Sequence, residues 1–381
     1  MRRLWLIFAQ SATVTLGILL AVSLLKPELM PWRGASITIQ EVAPQTAPQK
    51  ISPLSAAAKK AMPSVVNIFT SKEVQAPRRP FKDDPIFHHF FGDRPDAAPQ
   101  RVTSLGSGVI VSSQGFILTN HHVVEAADEI EVALADGRTA SARIIGTDPE
   151  TDLAVVKIDL KNLSPITFGR TEQTQVGDVV LAIGNPFGVG QTVTMGIVSA
   201  LGRSHLGIST YENFIQTDAA INPGNSGGAL VDASGNLIGI SSAIFSQSGG
   251  SLGIGFAIPV SLAKQIMEQI IQSGGVTRGW IGVEVQDITP ELAESFKLPS
   301  TTGALIAGVL RGGPADRAGI RPGDILVAIN DKAVADSSAM LNQISALPPN
   351  RPAMLKILRN RNTVALRVNI GKRPKFRQQE E

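Results

Sequence analysis

The chain has 381 residues, enough for two or three domains and a sizeable core. Apolar residues make up 43% and charged residues 18%, which excludes a disordered or supercharged chain. Lys and Arg outnumber Asp and Glu by only three, 35 against 32, and form no stripe with interleaved aromatics, so nucleic acid is not an expected partner.

Cysteine is absent, which excludes disulfides, thiol nucleophiles, Cys-ligated zinc and a lipoprotein anchor. The elements then read in chain order. Residues 4–25, LWLIFAQSATVTLGILLAVSLL, carry no charged side chain. As a helix rising ~1.5 Å per residue they span ~33 Å, enough for a hydrocarbon core of ~30 Å. Arg2 and Arg3 keep residues 1–3 in the cytoplasm, so the segment reads as a transmembrane signal anchor with the rest of the chain outside. A signal peptide cleaved after Ala21-Val22-Ser23 is the competing reading. Residues 26–55, with many Pro, Gln, Ala and Thr, read as a flexible linker.

Residues 56–275 show short apolar runs broken by Gly, Asn, Asp and Pro, such as 64–69, 130–134 and 179–183. That pattern predicts a mostly β body, an all-β barrel or sandwich pair. Residues 74–101 carry prolines, Phe81, Phe87, Phe90, Phe91, His88 and His89 and read as a long surface insert. Leu262, Ile266 and Ile270 predict a helix over 261–273, stopped by Gly274-Gly275. A second body covers 279–371. In it Thr289 caps a helix with Pro290 in first position, 303–306 and 324–329 are strands, and 335–347 is a short helix. Residues 372–381 form a polar tail.

The sharpest chemical signal is Asn222-Pro223-Gly224-Asn225-Ser226-Gly227-Gly228. A serine hydroxyl is a weak nucleophile until a base takes its proton. In such a glycine-rich loop the amides of Gly224 and Ser226 can form an oxyanion hole for charge that develops in the transition state. An ordinary Gly/Asn/Ser turn is the bland alternative, so a base must be found. Of five histidines, His88 and His89 sit in the insert, with metal binding a weaker reading than a solvated loop, and His205 follows Gly202-Arg203-Ser204 and reads as loop. His121 and His122 follow an apolar strand ending in a polar turn. An orienting carboxylate is supplied by Asp152, at the mouth of the buried strand that starts at Leu153. Asp136, Asp148 and Asp159 lie beside turn signals and are expected to be solvated.

Gly106-Ser107-Gly108-Val109-Ile110, Thr119-Asn120-His121-His122-Val123-Val124, Thr151-Asp152-Leu153-Ala154 and Gly224-Asn225-Ser226-Gly227-Gly228 together resemble the HtrA (Deg) serine proteases. The resemblance places the catalytic histidine at His122, giving a triad of His122, Asp152 and Ser226, and implies a chymotrypsin-like double β-barrel. It also matches Gly184-Asn185-Pro186-Phe187-Gly188 and Gly196-Ile197-Val198-Ser199 to loops around the site. Arg203 matches an arginine that relays activation to the oxyanion loop, a surface arginine being the alternative.

Residues 278–283, with Trp280, Ile281, Gly282 and Val283, look like the carboxylate-binding loop of a PDZ domain, and 312–326 resemble the PDZ segment of the same family. Met340 and Ile344 either line the peptide groove or are plain core. An N-terminal anchor followed by one protease domain and one PDZ domain looks like the DegS type, close to the AlgW-like branch. That resemblance implies an inner-membrane, single-pass protein with protease and PDZ domains in the periplasm. It further implies a homotrimer, an anti-sigma factor as substrate, and C-terminal peptides of misfolded outer-membrane proteins as activators in a stress response. The Phe-rich insert is more like the quality-control members, whose broad protease and chaperone role is the alternative. No metal or organic cofactor is implied.

Overall fold

The structure, a computed structural model, describes residues 2–25, 54–74, 100–125, 127–185, 190–222, 224–244 and 251–374. It divides into an N-terminal unit, residues 1–39, and a body, residues 40–381. In the first unit, α1 runs Arg2–Leu25. Its side chains from Leu4 to Phe8 are exposed. Ser11, Thr13 and Thr15 each donate a hydroxyl to the carbonyl four residues earlier at 2.8 Å, which satisfies these polar groups within the helix. The side chains of residues 19 and 21–25 lie outside the description, and among the described residues no helix is long and apolar enough to cross a membrane.

The body begins with α2 (Leu54–Ala61) and continues into two closed β-barrels. Barrel one contains β1 (Val65–Val74), β2 (Gln100–Ile110), β3 (Phe116–Thr119), β4 (Glu129–Ala133), β5 (Thr139–Asp148) and β6 (Leu153–Ile158), with the one-turn helix α3 (His121–Val124) after β3. It closes in the order β1-β2-β3-β6-β5-β4. Barrel two contains β7 (Val179–Gly184), β8 (Thr192–Arg203), β9 (Phe214–Thr217), β10 (Ala229–Asp232), β11 (Leu237–Ile244) and β12 (Gly255–Pro259), in the order β10-β11-β12-β9-β8-β7. Neighbouring strands in both barrels pair antiparallel, and closure leaves no exposed sheet edge.

The strands that carry the core are apolar on both faces. Every residue of β3 and of β12 is buried, and in β6 only Lys157 is not. One face fills a barrel and the other packs outward, on the second barrel or on α4 (Val260–Ser273). That helix lies against β5 and β6 of barrel one and β11 and β12 of barrel two. Its buried stripe is Val260, Ala263, Ile266, Met267 and Ile270, a helical period, whereas Leu262 is only half-buried. Gly274 ends it in a left-handed conformation, φ 73°, donating its N–H to the Ile270 carbonyl at 2.8 Å. The insert is shorter than its sequence limits: β1 pairs with β2 out to Val74 opposite Gln100. Residues 75–99, including His88 and His89, lie outside the described residues.

The PDZ part contains β13 (Gly279–Trp280), β14 (Val283–Asp287), α5 (Pro290–Ser295), β15 (Ala304–Val309), α6 (Pro314–Arg317) and β16 (Ile325–Ile329). It continues with β17 (Lys332–Ala333), α7 (Ser337–Ser345), β18 (Pro352–Arg359), β19 (Asn362–Asn369) and β20 (Gly371–Lys372). The sheet runs β14-β15-β16-β18-β19, which puts β14 at an edge. Thr289 caps α5 by accepting the Leu292 N–H, with Pro290 at the first position. Asp336 caps α7 by accepting the Ala339 N–H.

Arg278 joins the two domains. Its Nη1 donates to Asp148 Oδ1 at 2.8 Å, and its guanidinium lies 4.5 Å from the centre of the Tyr211 ring. Asp148, which its neighbouring turn signals place at solvent, is therefore 3% exposed: the long-range pair with Arg278 and a hydrogen bond from Thr151 replace its water. Arg373 closes the bracket, donating from Nε to Glu150 Oε1 at 2.7 Å.

Candidate active site

β3 and β6 are neighbours, with Thr119 opposite Ala154, so the residues just after β3 and just before β6 meet at one barrel rim. His122 stands on α3 and Asp152 on the turn into β6. His122 Nδ1 is 2.8 Å from Asp152 Oδ2 and 2.9 Å from Oδ1, and the His122 backbone N–H donates to Oδ1 at 3.0 Å. Asp152 is itself held in a left-handed conformation, φ 57°. Its carbonyl accepts the His121 N–H at 3.1 Å and the Asn120 side-chain amide at 2.9 Å, so the turn is tied back to the histidine's own segment.

Burial works against the Asp152 charge, but hydrogen bonds from His122 and Ser242, and the His122 charge, outweigh it and hold the carboxyl below its ordinary value. An anionic Asp152 accepts Nδ1–H, which leaves Nε2 as the nitrogen able to take a proton. The neighbouring His121 points elsewhere, with Nε2 3.6 Å from Glu125.

Ser226 comes from the other barrel, on the loop before β10. The loop is stitched to barrel one by backbone: the Ser107 N–H donates to the Ser226 carbonyl at 2.8 Å. Gly227 follows at φ 82°, and a Cβ there would run into the Ser107 carbonyl and the Thr119 hydroxyl, so only glycine fits. Ser226 Oγ donates to the Ser242 carbonyl at 3.2 Å, the hydrogen bond it makes among the described residues, and not to His122. The amides of Gly224 and Ser226 have no internal acceptor among the described residues, as an anion-binding pair requires.

Two residues that bear on this geometry carry no readable role in the sequence. Ser242 on β11 donates Oγ to Asp152 Oδ2 at 2.9 Å while its carbonyl receives Ser226. Ser107 on β2 is fully buried; its hydroxyl donates to the Gly224 carbonyl at 2.6 Å and accepts the Asn185 N–H at 2.8 Å. Ser107 falls in a motif that is visible in the sequence, but its bonds span more than seventy residues and follow from the fold alone. Of the two segments matched to site loops, residues 196–199 are strand, within β8, while 186–189 lie outside the described residues. Arg203 ends β8, and its Nε donates to Gln216 on β9 at 2.8 Å.

In the second domain the carbonyls of Ile281 and Gly282 accept from Ala315 and Leu310 at 2.9 Å, fixing the loop that leads from Trp280 into Val283. The free edge of β14 begins there, with α7 packed nearby. Met340 and Ile344 on α7 are 1% and 5% exposed and pack with Ile281 and Ile306 in the PDZ core, so in this structure they are core.

These features define a trypsin-like serine peptidase with one PDZ domain. Residues 106–240 match the Trypsin-like peptidase domain and residues 279–370 the PDZ domain. A probable periplasmic serine endoprotease DegP-like of Chlamydia muridarum is 49% identical, over 77% of this chain and 60% of its own length. Its counterpart in Chlamydia trachomatis serovar D is 45% identical over 88% and 71%. Among solved structures, an HtrA-type protease AlgW with decapeptide is 55% identical with TM-score 0.72, covering 85% of this chain and 100% of its own. A serine endoprotease from Yersinia pestis follows at 38% identity and TM-score 0.61, covering 86% and 100%. The chain belongs to the HtrA-type serine endoproteases.

Proposed function

We propose that this chain is a regulated periplasmic endopeptidase whose catalytic residues are Ser226, His122 and Asp152. Ser226 Oγ attacks the scissile carbonyl, His122 Nε2 takes its proton and returns it to the leaving amine, and Asp152 holds the imidazole. The amides of Gly224 and Ser226 receive the oxyanion. The observation that carries this reading is the two-point contact of His122 Nδ1 with Asp152, at 2.8 and 2.9 Å, with Ser242 linking that carboxylate to Ser226 of the other barrel. The hydrogen bond of Ser226 to Ser242 instead of His122 supports a resting enzyme that must be switched on.

The switch in this reading is the PDZ domain. The free edge of β14 accepts an extended peptide, and the loop from Trp280 to Val283 takes its terminal carboxylate. The activators are exposed C-termini of misfolded outer-membrane proteins, the substrate is an anti-sigma factor in envelope-stress signalling, and Arg203 passes the signal to the oxyanion loop. The AlgW structures carry a decapeptide or a tripeptide, in keeping with peptide control. Residues 4–25 anchor the chain in the inner membrane; the charge-free sequence and the internally satisfied hydroxyls of α1 favour this. Protease domains assemble as a homotrimer. An apolar stripe of Val193, Met195 and Ile197, exposed on one face of β8 with Val179 opposite Ile197, supports burial against another copy.

The test is the cleavage rate of a folded anti-sigma periplasmic domain by the full chain in detergent. It is measured with and without a peptide ending in an apolar residue and a free carboxylate. A rise of about 5–150-fold, absent with the amidated peptide and with Ser226→Ala, is expected. Equal rates with ready digestion of unfolded protein would move the reading to broad quality control, which the DegP-like names of the curated relatives favour.

A further inference from the structure

His205 stands in the loop after β8 and reaches from the protease body to the PDZ domain. Its backbone is left-handed, φ 61°, a conformation that costs a non-glycine residue about 1 kcal/mol or more and persists only where surroundings enforce it. Glu212 enforces it here: its carboxylate accepts the N–H groups of Leu206, Ile208 and Ser209 at 2.6, 2.7 and 3.2 Å and ties the loop into a knot. The knot is fastened to the PDZ domain by Asn342 of α7, whose amide donates to the Glu212 carbonyl at 2.9 Å.

Held in this way, the His205 ring enters the gap between the end of β14 and the start of α7. His205 Nε2 is 2.8 Å from Asp287 Oδ2, and ligand atoms of His205, Asp287 and Asp336 all lie within 4.8 Å of one another. Each has an outer partner that fixes its direction. Asp287 Oδ1 accepts the Ser337 N–H at 2.9 Å, and Asp336 Oδ1 accepts the Ala339 N–H at 2.7 Å. His205 Nδ1 is 3.1 Å from Ser204 Oγ, which leaves Nε2 turned toward the carboxylates. Among the described residues neither carboxylate has a lysine or arginine partner. His205 Nε2 also lies 3.2 Å from Ser338 Oγ and 3.4 Å from Ser337 Oγ, so one imidazole, two carboxylates and two hydroxyls gather in one place.

We propose that His205, Asp287 and Asp336 form a divalent-cation site, filled by Zn²⁺, that ties the protease body to the PDZ domain. One imidazole and two carboxylates with an open fourth position suit zinc, and the imidazole selects against Mg²⁺ and Ca²⁺. The outer hydrogen bonds supply the second layer that metal ligands require. Tetrahedral donors at ~2.0–2.2 Å from zinc sit ~3.3 Å apart, so the His205–Asp287 contact opens by about half an ångström when the ion enters. The side chains of His205 and Asp287 are each 44% exposed, which gives the ion a path in and a water for its fourth position. Because the ligands come from both domains, the bound ion stiffens the join that the PDZ signal must cross.

The experiment uses the full chain in detergent, stripped of metal and titrated with zinc chloride by calorimetry. One Zn²⁺ per chain is expected, together with a rise in Tm. His205→Ala and Asp336→Asn should each weaken binding about tenfold or more. Asparagine still caps a helix, so Asp336→Asn keeps α7 and reports on the metal alone. Zinc should also slow hydrogen exchange in the 204–213 loop of the wild-type chain. No binding at millimolar zinc, binding unchanged in His205→Ala, or binding lost in His122→Ala but kept in His205→Ala would each overturn the proposal.

Discussion

Ser107→Ala isolates the part of the site that the oxyanion loop leans on. The hydroxyl is fully buried, donates to the Gly224 carbonyl at 2.6 Å and accepts the Asn185 N–H at 2.8 Å. Its removal leaves one carbonyl and one N–H buried without partners, at about 1–3 kcal/mol each before relaxation. A stability loss of about 2–4 kcal/mol in urea unfolding is expected. The Gly224 carbonyl, once released, no longer fixes the peptide plane beside the Gly224 amide. Losing an oxyanion donor outright costs ~10²–10³ in kcat, and a donor that is only misaimed part of the time should cost about 10–10². The assay is kcat and KM on a peptide substrate at saturating activator, below the variant's Tm, with activator affinity measured separately. KM and activator affinity should stay within about twofold, because Ser107 touches neither groove nor substrate. A kcat within about threefold of wild type, alongside the expected stability loss, would refute the link to the oxyanion loop and leave the hydroxyl as packing glue.

Asp152→Asn keeps the shape of the His122 contact but favours the wrong imidazole tautomer, and kcat should fall by ~10⁴; a loss under about a hundredfold would argue for another orienting group. Ser242→Ala removes a hydrogen bond to the Asp152 carboxylate, about 1.5–3 kcal/mol, and should lower kcat by about tenfold without raising KM. Arg278→Ala strands the buried Asp148 carboxylate and should cost about 3–5 kcal/mol, part of which Asp148→Ala in the same chain restores; strictly additive losses in urea unfolding would refute the coupling. Because the folded Asp152 carboxyl titrates below its unfolded value of ~3.9, it contributes stability above that pH. This contribution disappears as pH falls through the lower folded value, so Tm measured between pH 5 and pH 3 should fall less steeply in Asp152→Asn than in wild type.

How far the sequence discloses this molecule depends on the range of the interaction. Strand periodicity is local, and β4, β7 and β16 stand within a residue or so of the runs that announce them. Caps are local too, and Thr289 with Pro290 is readable because both signals fall within four residues. His122 and Asp152 are readable as candidates because each adjoins an apolar strand, and the pairing of β3 with β6 then brings their segments together. Ser242 and Ser107 are not, because a serine inside a strand has the same local pattern whether its hydroxyl meets an aspartate or a void. Asp148 shows the converse. Its turn neighbours point to solvent, and its burial is made tolerable by Arg278, distant in sequence, together with the hydroxyl of Thr151. In α4 the stripe shifts from Leu262 to Ala263 and Met267 because the helix must serve two barrels at once, which no single-face pattern encodes.

The resting position of Ser226 bears on what an activator has to change. The hydroxyl leaves the imidazole for one hydrogen bond to Ser242, long at 3.2 Å, worth about 1 kcal/mol net. A bond of that size holds back the productive rotamer by about fivefold at most. His122 and Asp152 are already assembled, so they supply no further brake. An enzyme that rests more than about tenfold below its activated rate must therefore keep its lock in the oxyanion loop. That loop carries the marks of a second arrangement: Asn225 is 3% exposed yet its side-chain oxygen has no partner among the described residues, and the same holds for Asn185 beside it. Buried orphan acceptors raise the energy of the state that contains them by about 1–3 kcal/mol each. A rearranged loop that satisfies both would recover enough to let a weakly bound peptide shift the balance. Asn225→Leu tests this: it removes the orphan from the resting state and the partner from the active one. It should leave the resting fold at least as stable while cutting the peptide-driven rise in kcat, and an undiminished rise would place the lock elsewhere.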